Sequence, residues 1–163
     1  LALSLNLEGF FGTAVPVRNT EPLTVTLKST TGGATIGPVS GTLTYSVATR
    51  HFEGTINLGT GIQSGTYQLL VKLTSYLAKD FGTVSLTQGS VTSVPFDVNK
   101  SFLSCDANND NIVNMLDIAQ VYTDIKKKGR IDSFVDMTRD GAVDIFDHNF
   151  CVQNFLKLGD SLP

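Results

Sequence analysis

One hundred and sixty-three residues, 41% of them apolar and 9% aromatic, suffice to bury roughly 70% of the unfolded surface, which argues against a disordered chain or a small disulfide scaffold. A net charge of −3 offers nucleic acid or an anionic membrane no electrostatic foothold. No apolar run reaches the roughly 20 residues of a transmembrane helix.

Composition changes near Lys100. Residues 1–100 hold six Lys/Arg, five Asp/Glu, seventeen Thr and twelve Gly, whereas 101–163 hold six Lys/Arg, ten Asp with no Glu, two Thr and three Gly. Two domains are expected, 1–100 rich in strands and 101–163 dependent on Asp. The chain opens at Leu1 without Met or a basic-apolar leader, which fits a removed signal segment or an internal piece, and both ends are expected to be tied down.

Residues 1–7 alternate Leu with smaller or polar residues, the period-two pattern of a strand with one buried face. Similar runs follow at 23–28, 41–47, 52–58, 66–73, 81–86 and 94–98. Turn chemistry lies between them at 30–33 and 88–90, and 59–65 reads as a hairpin turn rather than a phosphate loop, since a strand follows it. Strands at this spacing predict an all-β, immunoglobulin-like sandwich.

Beyond Lys100 the period becomes helical. Residues 115–128 put Ile118, Val121, Tyr122 and Ile125 on one face before three Lys and Gly129, and 145–158 form a second helix stopped by Gly159. Before each helix stands a twelve-residue pattern, repeated 30 positions apart. The first runs Asp106, Asn108, Asp110, Asn114, Asp117 and the second Asp136, Thr138, Asp140, Asp144, Asp147, with oxygen side chains at positions 1, 3, 5, 9 and 12 of both. Adding the position-7 carbonyls of Ile112 and Ala142 gives the six or more hard oxygen ligands that Ca2+ takes in a flexible loop, so two Ca2+ ions are expected and Mg2+ fits less well. Position 6 must turn left-handed, which Gly141 permits and Asn111 tolerates. Val113 and Val143 at position 8 are expected to pair the loops. Position 12 is Asp rather than Glu, closing each loop with a bidentate carboxylate on a shorter arm.

This tandem, over about residues 104–159, resembles a dockerin, a duplicated loop-helix module with half-sites of the form D-x-[ND]-x-D-x-x-x-[ND]-x-x-D. The resemblance implies two ion-ordered halves packed about a pseudo-two-fold axis. It also implies contact with a cohesin module through loop positions 10, 11, 17 and 18. Those positions are Met115, Leu116, Tyr122 and Thr123, then Ile145, Phe146, Val152 and Gln153. Cellulase-borne dockerins often carry Ser-Thr at positions 10 and 11, where this chain has Met-Leu and Ile-Phe. Four such apolar residues must be covered either by the sandwich or by a partner. Under that pseudo-symmetry Cys105 and Cys151 occupy places mirrored by Val135 and Val121, so a Cys105–Cys151 disulfide is expected, two free buried thiols being the alternative. A sandwich ahead of a dockerin also resembles paired modules of bacterial scaffold and surface proteins.

His51 and His148 stand alone and read as structural, and 99–101 is a single glycosylation-type tripeptide. No Ser-His-Asp set, Cys-His pair or nucleophile elbow is present. The absence of Trp, with four Tyr, argues against a sugar-binding platform. The expected function is therefore non-catalytic, extracellular protein assembly. The chain would serve as a filament subunit that gives its Leu1–Leu7 strand or C-terminal helix to a neighbour, or alternatively as a dockerin binding a cohesin-like receptor on a scaffold.

Overall fold

Alternation of buried and solvent-facing residues sets the strands of the computed structural model, which describes residues 1–10, 15–33, 35–94, 97, 101–127 and 133–163. Among these, nine strands precede two helices: β1 (Ala2–Leu5), β2 (Thr20–Ser29), β3 (Thr35–Ser46), β4 (His51–Thr55), β5 (Gly65–Leu73), β6 (Ser75–Tyr76), β7 (Lys79–Leu86), β8 (Ser93–Val94), β9 (Ser104–Asp106), α1 (Met115–Ile125) and α2 (Ile145–Gln153). Along β2 the inward set is Glu21, Leu23, Val25 and Leu27, all buried. Leu69, Val71 and Leu73 of β5 answer it from the neighbouring strand.

Seven strands form one sheet in the order β7-β5-β2-β3-β4-β1-β8, and β6 with β9 forms a second, two-stranded one. The larger sheet curls. Its two ends approach where the Thr92 hydroxyl, next to β8, donates to the Ser85 carbonyl of β7 at 3.3 Å. The result is a sandwich or near-barrel made by one sheet folded on itself, followed by two helices, rather than two separate immunoglobulin-like sheets. Apolar residues of both the sheet and the helical part, from Leu1 to Cys151, share one core.

Three sequence expectations are corrected here. Residues 59–65 do not make a hairpin, because β4 pairs with β3 and β1 whereas β5 pairs with β2 and β7, so the segment crosses between distant parts of the sheet. The Leu1–Leu7 strand is taken up within its own chain rather than lent to a neighbour: β1 pairs antiparallel with β4 and, at Ala2 and Leu3, parallel with β8, and Leu1, Leu3, Leu5 and Leu7 are buried. Helix α2 stops at Gln153 instead of running to Leu158. Asn154, its C-cap, is buried and donates to Glu8 Oε2 at 2.5 Å and to the Ser104 carbonyl at 3.1 Å, which turns the chain away. Residues 95, 96, 98–100 and 128–132, including Asn99 and the Gly129 stop signal, lie outside the described residues, so only Ser93–Val94 of the strand expected at 94–98 is seen.

The helical part is fastened to the sheet by polar contacts. The Glu8 carboxylate accepts from the backbone and hydroxyl of Ser104 at 2.8 and 2.9 Å, besides Asn154. Strand β9 pairs with β6, and Leu7 bridges to Phe102. Gly9 packs so close to the Met137 carbonyl that any Cβ would collide with it, and its φ of +92° is one that glycine adopts freely. Deeper still, Glu21 Oε1 is shared by Arg18 Nη2 at 2.7 Å and Arg139 Nη2 at 2.5 Å. Arg139 also donates to the Arg18 carbonyl at 3.1 Å and the Tyr76 hydroxyl at 3.2 Å, and lies over the Phe52 ring at 4.7 Å. Arg18 Nη1 reaches the Ser133 carbonyl at 2.6 Å.

The expected disulfide is present, joining Cys105 in β9 to Cys151 in α2 with Cα atoms 5.1 Å apart. Its pseudo-symmetry mates Val121 and Val135 are likewise buried.

Breaking a buried ion cluster by removing one member strands the rest without compensation. Glu21→Ala is therefore expected to cost about 3–5 kcal/mol in urea unfolding, and a loss under about 1 kcal/mol would show that the cluster carries little of the fold. Replacing both cysteines by Ala opens a 46-residue separation and is expected to cost about 2–5 kcal/mol in the same assay.

Candidate metal loops and an exposed apolar face

The two loops share one set of hydrogen bonds at positions 1, 5, 9 and 12. At position 1, Asp106 Oδ2 accepts the Asn111 amide at 3.0 Å and Asp136 Oδ2 accepts the Gly141 amide at 2.9 Å. At position 5, Asp110 and Asp140 each take the position-7 amide, of Ile112 and Ala142, at 2.9 Å. At position 9, Asn114 and Asp144 cap the helices by accepting from Leu116 and Phe146 at 2.7 and 2.8 Å. At position 12, Asp117 and Asp147 return to the position-9 amides at 2.8 and 2.9 Å, completing a capping box on both helices.

Left-handed backbone makes this possible. Position 6 adopts it in both loops, with φ 70° at Asn111 and 93° at Gly141, as its sequence chemistry implies. Position 4 adopts it too, with φ 62° at Asn109 and 59° at Arg139. Neither residue type advertises that second turn, although Asn is the better suited.

Position 12 does more than the expected bidentate closure. Asp147 Oδ1 already accepts the Met137 and Thr138 amides at 2.7 and 3.0 Å, and Asp117 Oδ1 accepts Asn108 at 3.1 Å, so these carboxylates order the loop themselves. The expected pairing of Val113 with Val143 is replaced by another. Val113 donates to the Lys157 carbonyl at 3.0 Å and accepts the Leu156 amide at 2.8 Å, so the C-terminal segment takes up its backbone groups. Early termination of α2 is what frees that segment to do so.

Burial pushes the carboxyls of Asp106, Asp136 and Asp147 upward, against opposing backbone hydrogen bonds, and Lys72 opposes it at Asp106. Among the described residues no three His, Cys, Asp or Glu side chains converge as a ready cluster. The loops instead combine carboxylates with the amides of Asn108 and Asn114 and the hydroxyl of Thr138, a mixed set of hard oxygens. Asp106 Oδ1 is buried without a hydrogen-bond partner, an acceptor a hard cation would satisfy. These residues fit Ca2+. Asp106, Asn108, Asp110, Asn114 and Asp117, with the Ile112 carbonyl, would hold one ion. Asp136, Thr138, Asp140, Asp144 and Asp147, with the Ala142 carbonyl, would hold the other. Each ion would supply charge compensation and loop rigidity.

The first loop meets one cation already. Lys72 of β5 places Nζ 2.9 Å from Asp106 Oδ2, and also donates to the carbonyls of Leu73 and Tyr76 at 2.9 and 2.6 Å and to Asn109 Oδ1 at 3.2 Å. Burial lowers the Lys72 pKa, with Asp106 pulling the other way. The Asn109 and Asn111 side chains in turn accept the Ser75 and Ala78 amides at 2.8 and 2.7 Å, seating the loop on the β-domain.

Facing away from the core, Met115 is 63% exposed, Leu116 66%, Ile145 58% and Phe146 62%. Tyr122, Thr123, Val152 and Gln153 are exposed as well, so the chain itself covers neither apolar pair. The Lys126 ammonium lies 4.3 Å from the centre of the Tyr122 ring. His51 contacts the Ser4 hydroxyl at 3.3 Å, far in sequence and role from the loops. No helix among the described residues is long and apolar enough to cross a membrane.

No protein-family model matches the sequence, and no curated protein does. Solved structures do. One chain of a C-terminal interface mutant of a type II cohesin–X-dockerin complex from Acetivibrio cellulolyticus superposes with a TM-score of 0.61 at 17% identity, over 97% of this chain and 96% of that one. A chain of the N-terminal interface mutant of the same kind of complex gives 0.59 at 17% identity, over 97% of each. At that identity the likeness is one of fold: a curled β-domain and two helices arranged as in chains of those complexes.

Proposed function

We propose that this chain is a non-catalytic, extracellular docking unit, in which a dockerin-like module over residues 101–163, made rigid by two Ca2+ ions, binds a cohesin-like receptor on a scaffold. The β-domain over residues 1–100 is its fixed companion. The observation that carries this reading is the matched exposure of Met115–Leu116 and Ile145–Phe146 at the start of two capped helices whose Val121 and Cys151 faces are buried. Apolar residues repeated in register and left uncovered mark a surface meant for a partner. Tyr122 and Val152, also exposed, extend each pair along its helix.

Receptor docking is favoured over self-assembly into a filament. Strand β1 is flanked on both sides, which removes the strand donation a filament would use. The fold resemblance to chains of cohesin–X-dockerin complexes supports the same choice. A disulfide between β9 and α2 suits an oxidising, extracellular setting.

Phe146→Asp is expected to abolish binding to purified type II cohesin modules, measured by calorimetry, while leaving the melting temperature within about 2 °C of the parent, since surface changes away from core features usually cost under about 0.5 kcal/mol. If the variant unfolds, the pair belongs to the core and the reading fails. Calcium is expected to stabilise by ~4 kcal/mol per site at a thousandfold excess over its dissociation constant. EDTA, which removes both ions, should then lower melting by about 20 °C for a chain of this size. Identical melting in EDTA and in millimolar calcium would remove both ions from the account.

A further inference from the structure

We infer that the β-domain tunes the first metal loop: Lys72, fixed against the position-1 carboxylate Asp106, makes the two loops unequal, the first binding Ca2+ more weakly than the second. This rests on the reading of both loops as calcium sites.

The side chains of the first loop bring three carboxylates, Asp106, Asp110 and Asp117, beside the neutral Asn108 and Asn114. The second brings four, Asp136, Asp140, Asp144 and Asp147, beside Thr138. Calcium affinity in oxygen loops follows the charge of the ligands and the rigidity of the site. Lys72 widens that difference. Its Nζ is 2.9 Å from Asp106 Oδ2 and is tied by three further acceptors, the Leu73 and Tyr76 carbonyls and Asn109 Oδ1, so the charge is anchored rather than waving in solvent. Asp110 and Asp117 also act on it electrostatically.

The ammonium shares the carboxylate without blocking it. Asp106 Oδ1 stays without a hydrogen-bond partner while Oδ2 holds Lys72 and the Asn111 amide, so an ion can be received at a site whose net charge is reduced by one. Among the described residues, no Lys or Arg side chain is paired with a carboxylate of the second loop. Arg139, at position 4, turns its guanidinium away from the loop to Glu21 Oε1, which it shares with Arg18. A fixed positive charge within a few ångströms of a dication is repulsive even under strong screening.

The test follows the position-6 amides of Asn111 and Gly141 by two-dimensional NMR while the chelator-stripped protein is titrated with calcium chloride. Gly141 is expected to saturate first, at a free calcium concentration on the order of tenfold lower than Asn111. Lys72→Gln, which keeps a donor for the carbonyls, is expected to shift the Asn111 midpoint several-fold toward tighter binding and to leave Gly141 unmoved. Asp144→Asn, which gives the second loop the position-9 residue of the first, is expected to weaken the Gly141 midpoint alone, and needs no folded Lys72 variant. Coincident titration of both amides in the parent, or an unchanged Asn111 midpoint in Lys72→Gln, would overturn the inference while leaving two calcium sites standing. Silence of both amides at millimolar calcium would overturn the calcium reading and this inference with it.

Discussion

Compensation of buried negative charge is the constraint from which the C-terminal half takes its shape. Asp106, Asp117, Asp136 and Asp147 are almost wholly removed from water, and a carboxylate in that position is tolerable only with hydrogen bonds or cations on its oxygens. Backbone amides answer part of the demand. They can do so because positions 4 and 6 of each loop turn left-handed, bending the chain until the position-6 amide points back at position 1. The position-12 carboxylate is met by amides from positions 3 and 9 in the same way. What amides leave unsatisfied, most plainly the buried Asp106 Oδ1, is what the proposed cation would meet.

The same loops also fasten the module to the β-domain, and at position 4 they do so with two chemistries. Position 4 has the same backbone in both loops, yet Asn109 accepts a β6 amide whereas Arg139 runs into the core to meet Glu21 and Tyr76. Internal symmetry in the loops thus coexists with an asymmetric seat, because the β-domain offers a different surface to each. Ordering of a loop and seating of the module are consequently linked, through Asn109 and Asn111 in the first half and Arg139 in the second.

How much of this was legible from the residues depends on how far apart the interacting groups lie. The repeated oxygen side chains and the left-handed position 6 arise within twelve residues, so residue type at fixed spacing was enough to read them, whereas the left-handed position 4 is equally local but falls on Asn109 and Arg139, of which Arg gives no such signal. The Cys105–Cys151 link followed only once the two halves were related by symmetry. Sheet order was not legible, since the crossing from β4 to β5 depends on partners supplied by β1, β2 and β7. Nor was the early end of α2, which is fixed by Glu8, 146 residues before Asn154. The Glu21–Arg139 pair was hidden because a charged residue in a polar loop reads as solvent-facing. One signal did exist: carrying the β2 alternation of Leu23, Val25 and Leu27 back by two residues places Glu21 on the buried face, where a carboxylate requires a cation.

The exposed apolar pairs follow from the loop geometry rather than standing beside it. Successive residues of an α-helix are turned by about 100°, and positions 9 and 12 are both committed to the loop, one as N-cap and the other as the residue that closes the capping box. Positions 10 and 11 have no direction left but outward. In most helices that first-turn face would be polar; here it carries Met115 and Leu116, then Ile145 and Phe146, and the burial of Val121 and Cys151 shows that the core lies on the other side. Whatever orders the loop therefore also sets the angle at which these four side chains meet solvent. In the proposed reading, cation binding and recognition are two consequences of one hydrogen-bonded turn, and a loop that loosened would blur the outward pair before it disturbed the core behind it.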